Sequence, residues 1–255
     1  MCPDLADSAK VAYDAFAGAY DDFTHAYRND RWTGRIEAKA RTLGLEGDRL
    51  LDVGCGTGKS FIPMMNRGWE VTACDIAPPM VDLARAKVGG RAKVVVADMR
   101  ELPALGEFDL VWALDDAMNY LLSAGELRST LCGMRQNLGP NGILAFDMNT
   151  LLTYRTFFCT EHVVEIRGRR MVWRGKMVPQ EVESGCISEA TFETDAEAVP
   201  RHTHRQRHFG EAEVLRALGQ ANLSCRAIVG DLDGELFDGA DEAIHAKTIY
   251  FCVRS

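Results

Sequence analysis

Three glycines at alternate positions, Gly54, Gly56 and Gly58, separate an apolar run (Leu50, Leu51, Val53) from a helical pattern that opens at Ser60. Glycine at such a junction lets the backbone turn sharply and lets a ligand approach closer than any Cβ would allow. The free N–H groups of the following helix then face that ligand. Carboxylates recur at the ends of further apolar runs: Asp75, Asp98, the pair Asp115–Asp116, and Asp147. Asp75 follows the glycines by about 20 residues, the spacing at which an acid accepts from both hydroxyls of a ribose. After the acidic pair come Asn119 and Tyr120. Much later, His202, His204, Gln206 and His208 alternate along one face of an extended segment. Asp115 or Asp116 could orient a cationic amine, Tyr120 could hydrogen-bond an acceptor, and His204 could act as a base.

The glycine turn admits several ligands. Gly58-Lys59-Ser60 supplies the end of a P-loop, but the first glycine of that pattern would fall on Val53. A dinucleotide fingerprint requires G-x-G-x-x-G, and the spacing here differs. Asp52-Val53-Gly54-Cys55-Gly56-Thr57-Gly58 instead resembles motif I of class I S-adenosylmethionine (SAM)-dependent methyltransferases, whose cofactor carries no phosphate to cradle. Phe16-Ala17-Gly18-Ala19-Tyr20-Asp21 is similar to the F-A-x-x-Y-D start of many small-molecule methyltransferases, and Leu138-Gly139-Pro140-Asn141-Gly142 is similar to their L-x-P-x-G.

The elements that must hold these residues read as an α/β chain. Helical spacing covers residues 8–27 and runs from Trp32 to about Leu43. Strands are expected at Leu50–Val53, 69–74, 93–97, 108–114 and 143–147, with helices at about 60–67, from Pro78, and 124–138. Gly139-Pro140-Asn141-Gly142 reads as a turn. From about 150 the pattern changes to alternating stretches at 162–167, 170–178, 185–195 and 199–207, an antiparallel sheet. A helix over 211–221 and strands at 225–230 and 246–253 close the chain.

The resemblance implies a Rossmann-like fold with a seven-stranded, mostly parallel sheet whose last strand is antiparallel, plus an inserted antiparallel β lid. Residues 1–150 would be the SAM-binding core with N-terminal cap helices, 151–207 the lid that reads the acceptor, and 208–255 the return to the core. It implies cofactor contacts from Tyr20, Asp52, Gly54, Gly56, Gly58, Asp75, Ile76, Asp98, Met99 and Leu114, with Asp98 accepting from the adenine amino group and Met99 packing on the ring. Tyr120, His204 and Asp115 are the expected catalytic residues. The expected reaction is methyl transfer to the amine nitrogen of a secondary metabolite or amino sugar. O- or C-methylation, or SAM binding without catalysis, are the alternatives.

Composition narrows the partners. The 255 residues carry a formal net charge of −8 and a pI near 5.3, whereas a chain that grips nucleic-acid backbone carries a basic face. No apolar run is long enough to span a membrane, and Met1–Lys10 lacks the apolar stretch of a secretory leader. The eight cysteines show no metal-ligand spacing and read as buried hydrophobes of a reducing compartment. The expectation is a cytoplasmic monomer or homodimer with a small-molecule acceptor, no nucleic-acid or membrane partner, and no metal.

Overall fold

The computed structural model describes residues 8–27 and 29–255; the leader reading rests mainly on residues 1–7, outside that set. Two helices, α1 (Ser8–Phe23) and α2 (Asn29–Thr42), precede the sheet. Then alternate β1 (Arg49–Val53), α3 (Phe61–Asn66), β2 (Glu70–Asp75), α4 (Pro78–Val88), β3 (Lys93–Val96), β4 (Phe108–Ala113), α5 (Ala124–Asn137) and β5 (Leu138–Asn149). Local chemistry sets several boundaries. Two prolines open α4, where a missing N–H is harmless, and left-handed Gly89 closes it. A reciprocal capping box between Ser123 and Glu126 starts α5.

After β5 come α6 (Leu151–Phe157), the strands β6 (Glu161–Ile166), β7 (Arg169–Gly175), β8 (Ile187–Thr194) and β9 (His202–Arg207), then α7 (Glu211–Gln220), β10 (Leu223–Leu232), β11 (Glu235–Asp238) and β12 (Lys247–Arg254). The main sheet runs β11-β10-β12-β5-β4-β1-β2-β3, and β6-β7-β8-β9 form a separate antiparallel sheet. The strands from β5 to β3 pair in parallel. β12 is antiparallel to both neighbours.

The sheet therefore has eight strands rather than seven. The additional strand, β11, is a four-residue return from a tight turn at Asp233-Gly234, too short and too polar to show a strand period. A short helix, α6, stands between β5 and the first of the alternating stretches. The expected turn at 139–142 is absorbed into β5 as a bulge: Phe108 pairs with Leu138, and Leu110 with Ile143. Glycine is needed there because a Cβ at 142 would meet the Phe108 carbonyl oxygen at 2.9 Å.

The central strands are buried on both faces, as a parallel sheet requires: Leu50, Leu51, Leu110, Val111 and Trp112 have no exposed surface. A third cluster joins the separate sheet to α1 through Phe16, Phe23, Trp173 and Phe192, with Phe16 and Phe192 ring centroids 4.6 Å apart. Burying each such ring contributes about 1.5–3 kcal/mol. Helix α1 is thus clamped between the second sheet and the glycine turn. On the turn side, Lys59 donates to the Thr24 carbonyl at 2.6 Å, Thr57 donates to Asp21 at 2.6 Å, and Lys87 pairs with the same carboxylate at 2.6 Å. No helix among the described residues is long and apolar enough to cross a membrane.

Candidate functional site

The glycine turn, the ends of β2, β3 and β4, and the inner face of α1 line a narrow cleft. Tyr20, Gly54, Gly56, Asp75, Ile76, Asp98, Met99, Leu114, Asp115 and Tyr120, expected at the site from sequence, all stand on its wall. Gly54 and Gly56 are left-handed, with φ of +76° and +51°, and a Cβ at Gly54 would meet Ala117 Cβ at 2.9 Å. The turn is thus held open by the absence of side chains.

Asp75 is the acid best placed for a diol. Its Oδ2 accepts the Gly56 N–H at 2.8 Å and its Oδ1 accepts the Ala77 N–H at 2.9 Å. These bonds fix the carboxylate and leave further lone pairs for a ligand's hydroxyls. Burial pushes its pKa up to about 6, against the pull of those N–H donors. A glycine floor, an anchored carboxylate, and apolar Met99 and Leu114 fit the nucleoside portion of SAM.

Two expected cofactor residues lie elsewhere. Asp52 is fully buried and accepts from the Ser60 hydroxyl. It ties the strand to the start of the next helix, and burial pushes its pKa up to about 7. Gly58 is a packing glycine: a Cβ would touch Phe61 and Ile62 at 3.0 Å. Asp98 lines the cleft, but the Arg100 guanidinium pairs with its carboxylate at 2.6 Å, so any ligand amine shares it with that cation.

Beyond the end of β4 the chain makes an unusual corner. Asp115 and Asp116 are both left-handed, with φ of +63° and +59°. Their N–H groups converge on the buried Asp147 carboxylate at 2.6 and 2.9 Å. Lys247 Nζ sits between the acids, 2.7 Å from Asp147, 3.3 Å from Asp115 and 4.0 Å from Asp116. Burial opposes charge on this lysine, but the three carboxylates outweigh it and hold its pKa well above the ordinary value. Burial raises the pKa of Asp116, which also accepts from Gln206 and Asn149. In sequence, Asp147 and the acidic pair read as separate strand-end acids, and Lys247 carries no motif. The available signal was a lysine opening an otherwise apolar final strand that must pair with β5.

A second, wider cavity of about 540 Å³ opens on the other side of this corner. Asp115 lines both cavities. The rest of the second wall includes Tyr27, Trp32, Phe157, Asp231, Asp233 and Lys247.

His204 does not reach either cavity wall. It is fully buried, with Nδ1 2.8 Å from the Tyr120 hydroxyl and Nε2 without a hydrogen-bond partner. Rings of Tyr13, Phe16 and Trp173 pack around it. Burial, reinforced by His202, pushes its pKa well below 6.5. A neutral imidazole enclosed this way orients Tyr120 and is poorly suited to collect a proton from an acceptor.

Residues 50–142, which carry the glycine turn and the acids at 75, 98 and 115–116, match a family model described as a methyltransferase domain. The chain is 27% identical over 247 residues to a putative methyltransferase, YqeM, of Bacillus subtilis, covering 94% of this chain and 96% of that protein. Among solved structures it is similar to a SAM-dependent methyltransferase from Clostridium acetobutylicum, with a TM-score of 0.78 at 19% identity over 95% of this chain and 99% of that one. It is also similar to a SAM-bound amino pentose methyltransferase from Micromonospora echinaspora involved in calicheamicin biosynthesis, with a TM-score of 0.68 at 21% identity over 94% and 96% of the two chains. At these identities the structural likeness concerns the fold.

Proposed function

We propose that this chain, a class I SAM-dependent methyltransferase, methylates the amine nitrogen of a small metabolite. The observation that carries this reading is the position of Asp115, on the wall of both the cofactor cleft and the adjoining cavity. SAM supplies, when bound, a methyl group activated by its sulfonium. The protein's task is to place an acceptor lone pair in line with that methyl and to keep water out. Alignment of this kind lowers a barrier by as much as about 7–11 kcal/mol.

Asp115 holds an ammonium at the junction before the amine loses its proton. Lys247 already balances part of the local negative charge, and the remaining carboxylates leave the junction acidic. A phenolate or carboxylate acceptor would be repelled there. Tyr120 stands on the cofactor side, its hydroxyl held by His204, and fixes the acceptor's orientation without abstracting a proton. The likeness in fold to an amino pentose methyltransferase is in keeping with an amine acceptor. The net charge of −8 argues against a nucleic-acid substrate.

The test is Asp115→Asn. If this carboxylate binds the acceptor, the variant raises the acceptor's KM more than it lowers kcat. A fall in kcat at unchanged KM would move Asp115 from binding to chemistry.

A further inference from the structure

An inserted sheet after β5 is the natural candidate for reading the acceptor, yet the four-stranded sheet spends its apolar inner face on α1. Phe192 and Trp173 pack against Phe16 and Phe23. Where β9 approaches the site it braces residues already there: His204 on Tyr120, and Gln206 on Asp116. The walls of the second cavity come instead from the start of α2, the turn between β10 and β11, helix α6 and the first residue of β12.

That cavity has a definite chemical character. Among the described residues, Asp115, Asp116, Asp231 and Asp233 face it with one lysine, Lys247. Trp32 is locked in place: its indole N–H donates to Asp231 Oδ2 at 3.0 Å, and Lys247 Nζ lies 5.6 Å from its ring centroid. Asp231 is itself buried, and Asp233 stands exposed at the tip of the turn with φ of +53°. Tyr27, nearly half exposed, and Phe157 complete an aromatic wall. A wall of rings with an excess of carboxylates suits a ligand that is flat or apolar along its body and singly cationic at one end.

We infer that this second cavity seats the methyl acceptor, a monocationic amine on a planar or apolar body, and that Trp32 and the β10–β11 turn select it rather than the strands of the inserted sheet. The inference rests on the amine reading above and adds to it the seat and the shape of the substrate. The amine end lies at Asp115, where the cavity meets the cofactor cleft. The body lies along Trp32, and Asp233 at the mouth attracts the cation during entry.

The test uses the full chain saturated with S-adenosylhomocysteine, so that the cofactor cleft is filled, and isothermal titration with two probes of one shape: tryptamine, a cation, and tryptophol, its neutral alcohol counterpart. Tryptamine is expected to bind more than about tenfold tighter, the scale of a hydrogen bond to a charged group. Trp32→Leu is expected to weaken tryptamine by about tenfold, and Asp233→Asn by about threefold in low salt, the scale of an exposed charge. Ile187→Thr, on the exposed face of the inserted sheet, is expected to change nothing. Unaltered S-adenosylhomocysteine affinity certifies each variant as folded, and Trp32→Phe stands in if Trp32→Leu fails that check. If tryptamine is preferred but indifferent to Trp32 and Asp233 variants, the seat is wrong while the amine reading stands. If tryptophol binds as well as tryptamine, the cationic class falls, and the amine reading with it. Failure of both probes to bind at millimolar concentration overturns the seat.

Discussion

Lys247 Nζ lies 2.7 Å from the Asp147 carboxylate, joining the first residue of the last strand to the end of β5 beneath the corner where the two cavities meet. Without that ammonium, Asp147 would be a buried carboxylate satisfied only by the Asp115 and Asp116 N–H groups, and the left-handed corner would lose its counter-charge. Lys247→Met is therefore expected to destabilise the fold by about 3–5 kcal/mol, the cost of breaking a buried ion pair from one side. Urea denaturation checks this. A loss under 1 kcal/mol, on the order seen for exposed pairs, would show that the acids relax without their lysine.

Asp75 is expected to carry the pH dependence of cofactor binding. Only its ionised form accepts fully from a diol, and burial has raised its pKa to about 6. Affinity for SAM should therefore be complete above that pH and fall as pH drops through it. Asp75→Ala is expected to cost about 1.5–3 kcal/mol of SAM binding at neutral pH, and to flatten the pH dependence between about 5 and 7. Titration calorimetry across that range reads both. An unchanged dissociation constant would remove this acid from the ribose.

His204 and Tyr120 act through one hydrogen bond, so their losses should overlap. Tyr120→Phe and His204→Ala are each expected to slow turnover by less than the roughly 100- to 10,000-fold typical of a general base. The double variant should be little worse than either alone, as coupled neighbours require. Since His204 stays neutral far below its ordinary pKa, the pH–rate profile should show no limb belonging to it near 6.5. A fall beyond 10,000-fold in His204→Ala with SAM affinity intact would restore a general-base mechanism.

Local patterns made much of the fold legible. The alternation of apolar runs with helical spacing gave the order of β1 to β5 and the helices between them. Gly54, Gly56 and Asp75, singled out by their spacing, stand together on one cleft wall. What stayed hidden depends on tertiary packing. Asp52 sits in the motif but lies in the interior, because β1 is buried on both faces and the Ser60 hydroxyl holds its carboxylate there. Gly58 leaves room for Phe61 and Ile62, which a Cβ there would touch. His204 lies on the face expected from alternation, but that face meets α1 instead of the cleft. Trp32, Asp231 and Lys247 come from distant parts of the chain, and only the β5–β12 pairing and the β10–β11 turn bring them to one wall.

The central claim is transfer to nitrogen, and the most direct measurement follows the methyl itself. The full chain is incubated with SAM labelled with ¹³C in its methyl group and with acceptors that carry both an amine and a hydroxyl. The product is then isolated and its labelled carbon is assigned by heteronuclear NMR. A labelled methyl bonded to the amine nitrogen is expected, formed at a rate that rises with pH as the free amine becomes available. A labelled methyl on oxygen or carbon, in a product formed at a comparable rate, would contradict transfer to nitrogen.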